Sequence, residues 1–310
     1  CDKSLDVRMW GYDADQLKEI ENCRENKIYL PGYKLPDNLK FEPEDAKAFI
    51  DTDMIVSAVP CQFMRNVWER LKPYLPAGIP IVSVTKGIER GSMELPSGIL
   101  EEVIGKNNPI AALSGPTIAD ELIRRLPATA SAACDDEQIA RKIQETFNCG
   151  TFRVYRNTDI IGVELCGALK NVIAIAAGII DGIGAGDNAK AALVTRGLAE
   201  IKRLGIAMGA KEKTFSGLSG LGDLVTTCIS PKGRNRSFGE RIGKGLSSQE
   251  ALGATKSVVE GAATCESVLK LAERYKIEMP IAKAVYQVVK DQKSVKAAIN
   301  ELMQRELKAE

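Results

Sequence analysis

Apolar positions change their rhythm about halfway along this chain. In the first half, short β-branched runs alternate with amphipathic stretches. Leu5–Trp10, Met54–Val59, Ile79–Val84, Ile110–Leu113, Ala128–Ala133 and Phe152–Tyr155 read as strands. Asp13–Glu25, Phe63–Leu75 and Ile118–Ile123 read as helices between them. Buried strands alternating with helices indicate βαβ units, a Rossmann-like, doubly wound parallel sheet of the α/β class. From about Thr158 the helical period takes over, with Asn188–Met208, Ser237–Gly243, Ser247–Gly253, Val259–Tyr275 and Pro280–Asp291 as helices and no strands. A boundary near Arg156–Ile160 divides the chain into a strand-and-helix domain, 1–157, and an all-helical domain, 158–310.

The first helix of the second half carries the most informative position. Ile160–Ile180 is almost wholly apolar but contains Lys170, with Asn171 beside it and Glu164 six residues earlier. A lone lysine in such a helix ordinarily snorkels to the surface or joins a buried ion pair. The chain has no histidine, so proton transfer near neutral pH needs another group. A lysine in a dry setting can serve. Those three polar residues would face the bilayer core in a membrane span, which argues against one.

Two polar clusters follow in sterically open sequence: Gly220-Leu221-Gly222-Asp223-Leu224-Val225-Thr226-Thr227, and Gly233-Arg234-Asn235-Arg236. Together with Lys170 they suggest redox or carbonyl chemistry on a small phosphorylated substrate. In doubly wound sheets the ligand lies beyond the carboxyl ends of the strands. Val59-Pro60, Thr85-Lys86-Gly87 and Ser114-Gly115-Pro116-Thr117 all fall there.

Composition narrows the class. At 310 residues, two domains are the natural division. Lys+Arg 42 against Asp+Glu 41 argues against a nucleic-acid partner or an acidic membrane surface. The eight cysteines show no CxxC spacing, and without histidine no metal site is expected. Reduced thiols in a cytoplasmic protein fit best.

The chain resembles the bacterial type of NAD(P)-dependent glycerol-3-phosphate dehydrogenase over nearly its whole length. The resemblance rests on SAVP (57–60), SVTKGIE (83–89), LSGPTIADEL (113–122), GALKNVIAIAAGIIDGIG (167–184), TRGLAEIKRLG (195–205), GLGDLVTTC (220–228), GRNRSFG (233–239) and VVEG (258–261). It implies interconversion of sn-glycerol 3-phosphate and dihydroxyacetone phosphate with NAD or NADP, supplying phospholipid synthesis, in a cytoplasmic enzyme and a homodimer. The same resemblance makes 1–157 a dinucleotide-binding domain and 158–310 a substrate and catalytic domain.

The resemblance also implies residue roles. Lys170 corresponds to the catalytic acid/base, while Asn171, Asp223 and Thr227 orient the substrate hydroxyls and hold the lysine. Gly233, Arg234 and Asn235 match phosphate-binding positions, and Arg234 borders the cofactor as well. Lys86, Gly115, Thr117 and Ala119 match residues between nicotinamide and substrate. Pro60, Val258 and Glu260 match cofactor contacts. Tyr12 follows the strand Leu5–Trp10, where the cofactor 2′ group is recognised, and no neighbouring arginine marks a 2′-phosphate.

Two departures stand out. Gly233 stands where many relatives have serine. The strand, GxGxxG turn and helix that open the family fold do not precede Leu5–Trp10, a difference of roughly 20 residues. Leu5–Trp10 and Met54–Val59 are therefore expected not to pair, and the 310 residues to bind dinucleotide poorly or form an inert relic. A two-domain dehydrogenase of another substrate, such as a ketopantoate reductase or a hydroxyacid dehydrogenase, would share the sheet and the lysine but not need Gly233-Arg234-Asn235.

Overall fold

A computed structural model of the chain describes residue 3 and residues 5–255 and 259–307. The first half runs β1 (Val7–Trp10), α1 (Ala14–Cys23), β2 (Leu39–Glu42), β3 (Ile55–Ser57), α2 (Met64–Leu71), β4 (Ile81–Ser83), α3 (Pro96–Ile104), β5 (Ile110–Ser114), α4 (Ala119–Ile123), β6 (Ala128–Ala133), α5 (Glu137–Phe147) and β7 (Phe152–Asn157). The second half is helical: α6 (Ile160–Gly182), α7 (Asp187–Ala207), α8 (Glu212–Phe215), α9 (Asp223–Ile229), α10 (Arg234–Gly243), α11 (Ser248–Gly253), α12 (Glu260–Arg274), α13 (Pro280–Val289) and α14 (Val295–Met303).

Strands β3, β4, β5, β6 and β7 form one sheet in sequence order, while β1 and β2 form a separate parallel pair. As expected, β1 does not pair with β3, whose Val56 is 49% exposed at the sheet edge. The β1–β2 pair is fastened by side chains instead. Arg8 donates to the Lys47 and Ile50 carbonyls, and Trp10 donates to Asp45, which also holds Arg70. Pairing is parallel except between β5 and β6, which run antiparallel. A parallel return needs a long crossover, usually helical. The intervening connection has only the five-residue α4 and turns back at Arg125, whose φ is 57°.

Helix α6 forms the spine of the second half. Its apolar residues from Leu165 to Ile179 lie in one core cluster with α7, α9, α10, α12 and α13. By length and composition α6 could cross a membrane, but 83% of its most apolar window is buried inside the fold. Its tightest neighbour is α10. A Cβ on Gly178 would lie 1.9 Å from the Arg236 carbonyl oxygen, and one on Gly239 would lie 2.0 Å from that of Ile175. Gly182 and Gly243 make the same backbone-close contact one turn further on. Both helices thus present glycines four apart, which lets their backbones touch.

Candidate functional site

Lys170 lies mid-way along α6 and is 7% exposed, so it does not snorkel. Its Nζ donates to Asp223 Oδ1 at 2.5 Å and to Thr227 Oγ1 at 2.8 Å. Both acceptors sit one turn apart on α9, and Thr227 Oγ1 also donates to Asp223 Oδ1 at 3.3 Å. Ahead of α9, Leu218–Gly222 is a π-helical turn. Gly220 is needed in it, because a Cβ there would stand 2.1 Å from the Phe215 carbonyl oxygen.

The strand-bearing half contributes the other side of Asp223. Lys86, beyond the carboxyl end of β4, donates to Asp223 Oδ2 at 2.7 Å and to the Gly115 carbonyl at 3.2 Å. One buried carboxylate therefore receives two lysines, one from each half of the chain. Burial, then the positive charge of Lys86, bring the Lys170 ammonium down from its ordinary 10.5 to about 7, against the pull of Asp223. Burial raises Asp223, but the charges of Lys86 and then Lys170 outweigh it and hold the carboxyl below its ordinary value. Lys170 can thus exist near neutral pH as ammonium or as free amine.

Gly115 ends β5 where only a backbone fits, since a Cβ would meet the Thr129 carbonyl oxygen at 2.7 Å. Thr117 folds its hydroxyl onto the Gly115 carbonyl at 3.1 Å. Gly87 adopts φ +147° against Cys61. Ser114 Oγ, in a residue only 5% exposed, has no hydrogen-bond partner among the described residues. Asn171 Nδ2 reaches the Gly167 carbonyl at 3.4 Å and Glu260 Oε2 at 3.5 Å. Glu260 opens α12, and burial raises its carboxyl despite the nearby charges of Arg234, Lys86 and Lys170.

Asn235 spends its carbonyl oxygen on the Gly261 backbone, 2.9 Å away, so it ties α10 to α12. Arg234, the first residue of α10, is exposed, and Gly233 is that helix's N-cap. Lys86, Lys170, Asp223 and Thr227 are brought together directly, Gly115 joins through Lys86, and Asn171, next to Lys170 in the chain, turns its side chain to Glu260 instead. Pro60 precedes a short 3-10 turn, and Ala119 is exposed at the start of α4. Tyr12 stands apart on the β1 side, 64% exposed. Val258 lies outside the described residues.

Two sequence readings need correcting, and a third gains a protein partner. Glu164 does not pair with Lys170. Its carboxylate accepts the Ser97 backbone N–H at 2.9 Å and hydroxyl at 2.5 Å, capping α3 across the two halves. An arginine does stand at Tyr12: the Arg70 guanidinium lies over its ring at 5.0 Å, although Asp45 already holds that guanidinium. Lys86, read as a ligand contact, is also an ion-pair partner of Asp223. None of these contacts follows a sequence spacing that could have revealed it. Among the described residues no group of three or more Cys, Asp or Glu side chains could hold a metal.

The pattern recurs in known proteins. The family model for the NAD-dependent glycerol-3-phosphate dehydrogenase N-terminus matches residues 1–140, and that for its C-terminus matches residues 159–300. The chain belongs to the NAD-dependent glycerol-3-phosphate dehydrogenase family. A glycerol-3-phosphate dehydrogenase [NAD(P)+] of Citrifermentans bemidjiense is 46% identical over 99% of this chain and 92% of its own length. One of Streptomyces coelicolor is 46% identical over 100% and 93%. The crystal structure of glycerol-3-phosphate dehydrogenase from Coxiella burnetii superposes with a TM-score of 0.94 at 38% identity, covering 98% of this chain and 93% of that one. A ketopantoate reductase from Ralstonia eutropha, at 12% identity and a TM-score of 0.58, shares the fold alone.

The residues present suit the nicotinamide end of a dinucleotide. At the carboxyl ends of β4 and β5, Gly87 and Gly115 keep the backbone bare, and Ser114 Oγ is a buried polar atom with unused hydrogen-bonding capacity. Pro60 and Phe63 leave exposed apolar surface beyond β3.

Proposed function

We propose that this protein interconverts sn-glycerol 3-phosphate and dihydroxyacetone phosphate, using NAD or NADP, in the cytoplasm and toward phospholipid synthesis. The observation that carries the reading is Lys170: a buried amine near neutral pKa, held by Asp223 and Thr227 at the carboxyl ends of the strands. The kinship with dehydrogenases named for this substrate supports it. Matches to residues 1–140 and 159–300 support a dinucleotide-binding domain over 1–157 and a helical catalytic domain over 158–310. The resemblance further supports a homodimer.

Bound NAD(P) supplies the hydride acceptor in one direction and the donor in the other. Pro60, Lys86, Ala119, Arg234 and Glu260 would hold it, with Tyr12 toward its far end. The protein's own part is proton handling and charge placement. As free amine, Lys170 has two N–H bonds for Asp223 and Thr227, leaving its lone pair for the secondary hydroxyl proton. In the reverse direction its ammonium returns that proton, and its charge favours a developing alkoxide. Lys86 adds a second positive charge, and Gly115, Thr117 and Asn171 border the substrate. Arg234, with Gly233 and Asn235, takes the phosphate, for which a planar guanidinium is well shaped.

An assay of NADH and NADPH oxidation with dihydroxyacetone phosphate tests the reaction, and Arg234→Ala tests the orientation. Losing one charge-assisted contact should raise the KM for dihydroxyacetone phosphate at least about tenfold. The KM for the dinucleotide should move far less. Equal movement of both would assign Arg234 to the cofactor instead.

A further inference from the structure

Two cations flank Gly233, the N-cap of α10, and they are partnered differently. The positive charge of Arg234 acts on the Glu260 carboxyl of α12. Lys232, two residues earlier, reaches across to α4 and pairs with Asp120 Oδ2. The other oxygen of Asp120 accepts the Tyr33 hydroxyl at 2.8 Å, and Arg124 stands 3.6 Å away. Lys232, followed by the Tyr33 hydroxyl, holds the Asp120 carboxyl below its ordinary range. Asp120 follows Thr117 by three residues, while Lys232 lies between Thr227 and Arg234. This one carboxylate thus joins three segments next to the site: the connection between α1 and β2, the substrate loop after β5, and the phosphate turn.

We propose that Asp120 is an internal stand-in for the substrate's phosphate: it occupies Lys232 in the free protein, and the incoming phosphate displaces it, making Lys232 a second phosphate-binding cation. This rests on the reading of the turn into α10 as the place where the substrate's phosphate binds. Three physical points favour the exchange. Lys232 is 49% and Asp120 30% exposed, and an ion pair so open to water is easily given up. A phosphate monoester carries about −1.5 to −2 charges and three acceptor oxygens, more than a carboxylate offers. A lysine is a point charge on a flexible stem and can change partners without a fixed fork geometry. Asp120 then sets the affinity for phosphorylated substrate by competing for Lys232.

The test compares Asp120→Asn, Lys232→Met, the double variant and Arg234→Ala. It reads the KM for dihydroxyacetone phosphate, the inhibition constant of inorganic phosphate and the KM for NADH. Asp120→Asn should lower both phosphate constants about threefold, and Lys232→Met should raise them by a similar factor. The double variant should behave like Lys232→Met, and the NADH constant should stay put in all three. If Arg234→Ala raises the phosphate constants while Asp120→Asn leaves them unchanged or raises them, the stand-in is refuted and the phosphate site survives. If Asp120→Asn lowers them while Arg234→Ala does nothing, Lys232 is upheld and Arg234 loses its role. If neither responds, both readings fall.

Discussion

At the scale of single residues, the chemistry depends on how one lysine is kept poised. Lys170→Ala should cost turnover roughly a hundredfold or more, the usual worth of a positioned general acid. Near-normal turnover in that variant would remove Lys170 from its role. The pH dependence carries a sign. Reduction of dihydroxyacetone phosphate needs the ammonium and should decline as pH rises through about 7, whereas oxidation of glycerol 3-phosphate needs the amine and should rise through the same range. Initial rates in both directions from pH 6 to 9 check this, and parallel profiles would contradict it. Lys170 was legible in the sequence because it interrupts a long apolar stretch in a chain without histidine. Its neighbourhood was not: Lys86 shares Asp223 with it, and that pairing joins positions 137 residues apart.

Helices set where these side chains stand. The glycines of α6 and α10 let the two backbones touch, and Arg234 is the first residue of α10. Gly239→Ala would force that crossing apart. It should destabilise the fold by about 1–3 kcal/mol, the usual penalty for overpacking, and raise the KM for dihydroxyacetone phosphate. Urea unfolding and steady-state kinetics would report both, and an unchanged midpoint would show that the crossing adapts. Glu164 gives α6 a second anchor, in α3. Burial raises its carboxyl from 4.5 to about 7 in the folded protein, so the fold binds the proton more tightly than the unfolded chain does. Its stabilising effect is full below about 4.5 and fades as pH rises through about 7. Glu164→Gln cannot ionise, so its stability relative to the parent should grow from pH 5 to pH 8, on the order of 1–3 kcal/mol. A pH-independent difference would reject that account. Strand existence was legible from β-branched runs, yet β2, α3, α5, α8, α9 and α14 escaped as elements. LKFE is too short a period-2 run, and Asp223–Ile229 follows glycines that mask a helix start. The reversed direction of β6 depends on how a connection folds back, which no periodicity encodes.

At the scale of the molecule, among the described residues all strands precede residue 158, only helices follow, and the site lies where these halves meet. That division was legible because the hydrophobic period itself changes. The separation of β1–β2 from the main sheet has a further consequence. Residues 7–50 are joined to the remainder by side-chain contacts such as Asp45 with Arg70, Phe49 stacked on Trp68 and Tyr33 with Asp120, with no shared ladder among the described residues. Side-chain fastenings can release one by one, whereas a shared ladder opens as a unit. The protein should therefore have two tiers of cooperativity, an outer unit that opens at low cost and an inner one that opens only on global unfolding. Amide exchange read by mass spectrometry should find the β1–β2 amides exchanging well before those of β4 and β5. Synchronous exchange of both would mean that a few buried aromatic and guanidinium contacts bind separate sheets as firmly as backbone pairing does.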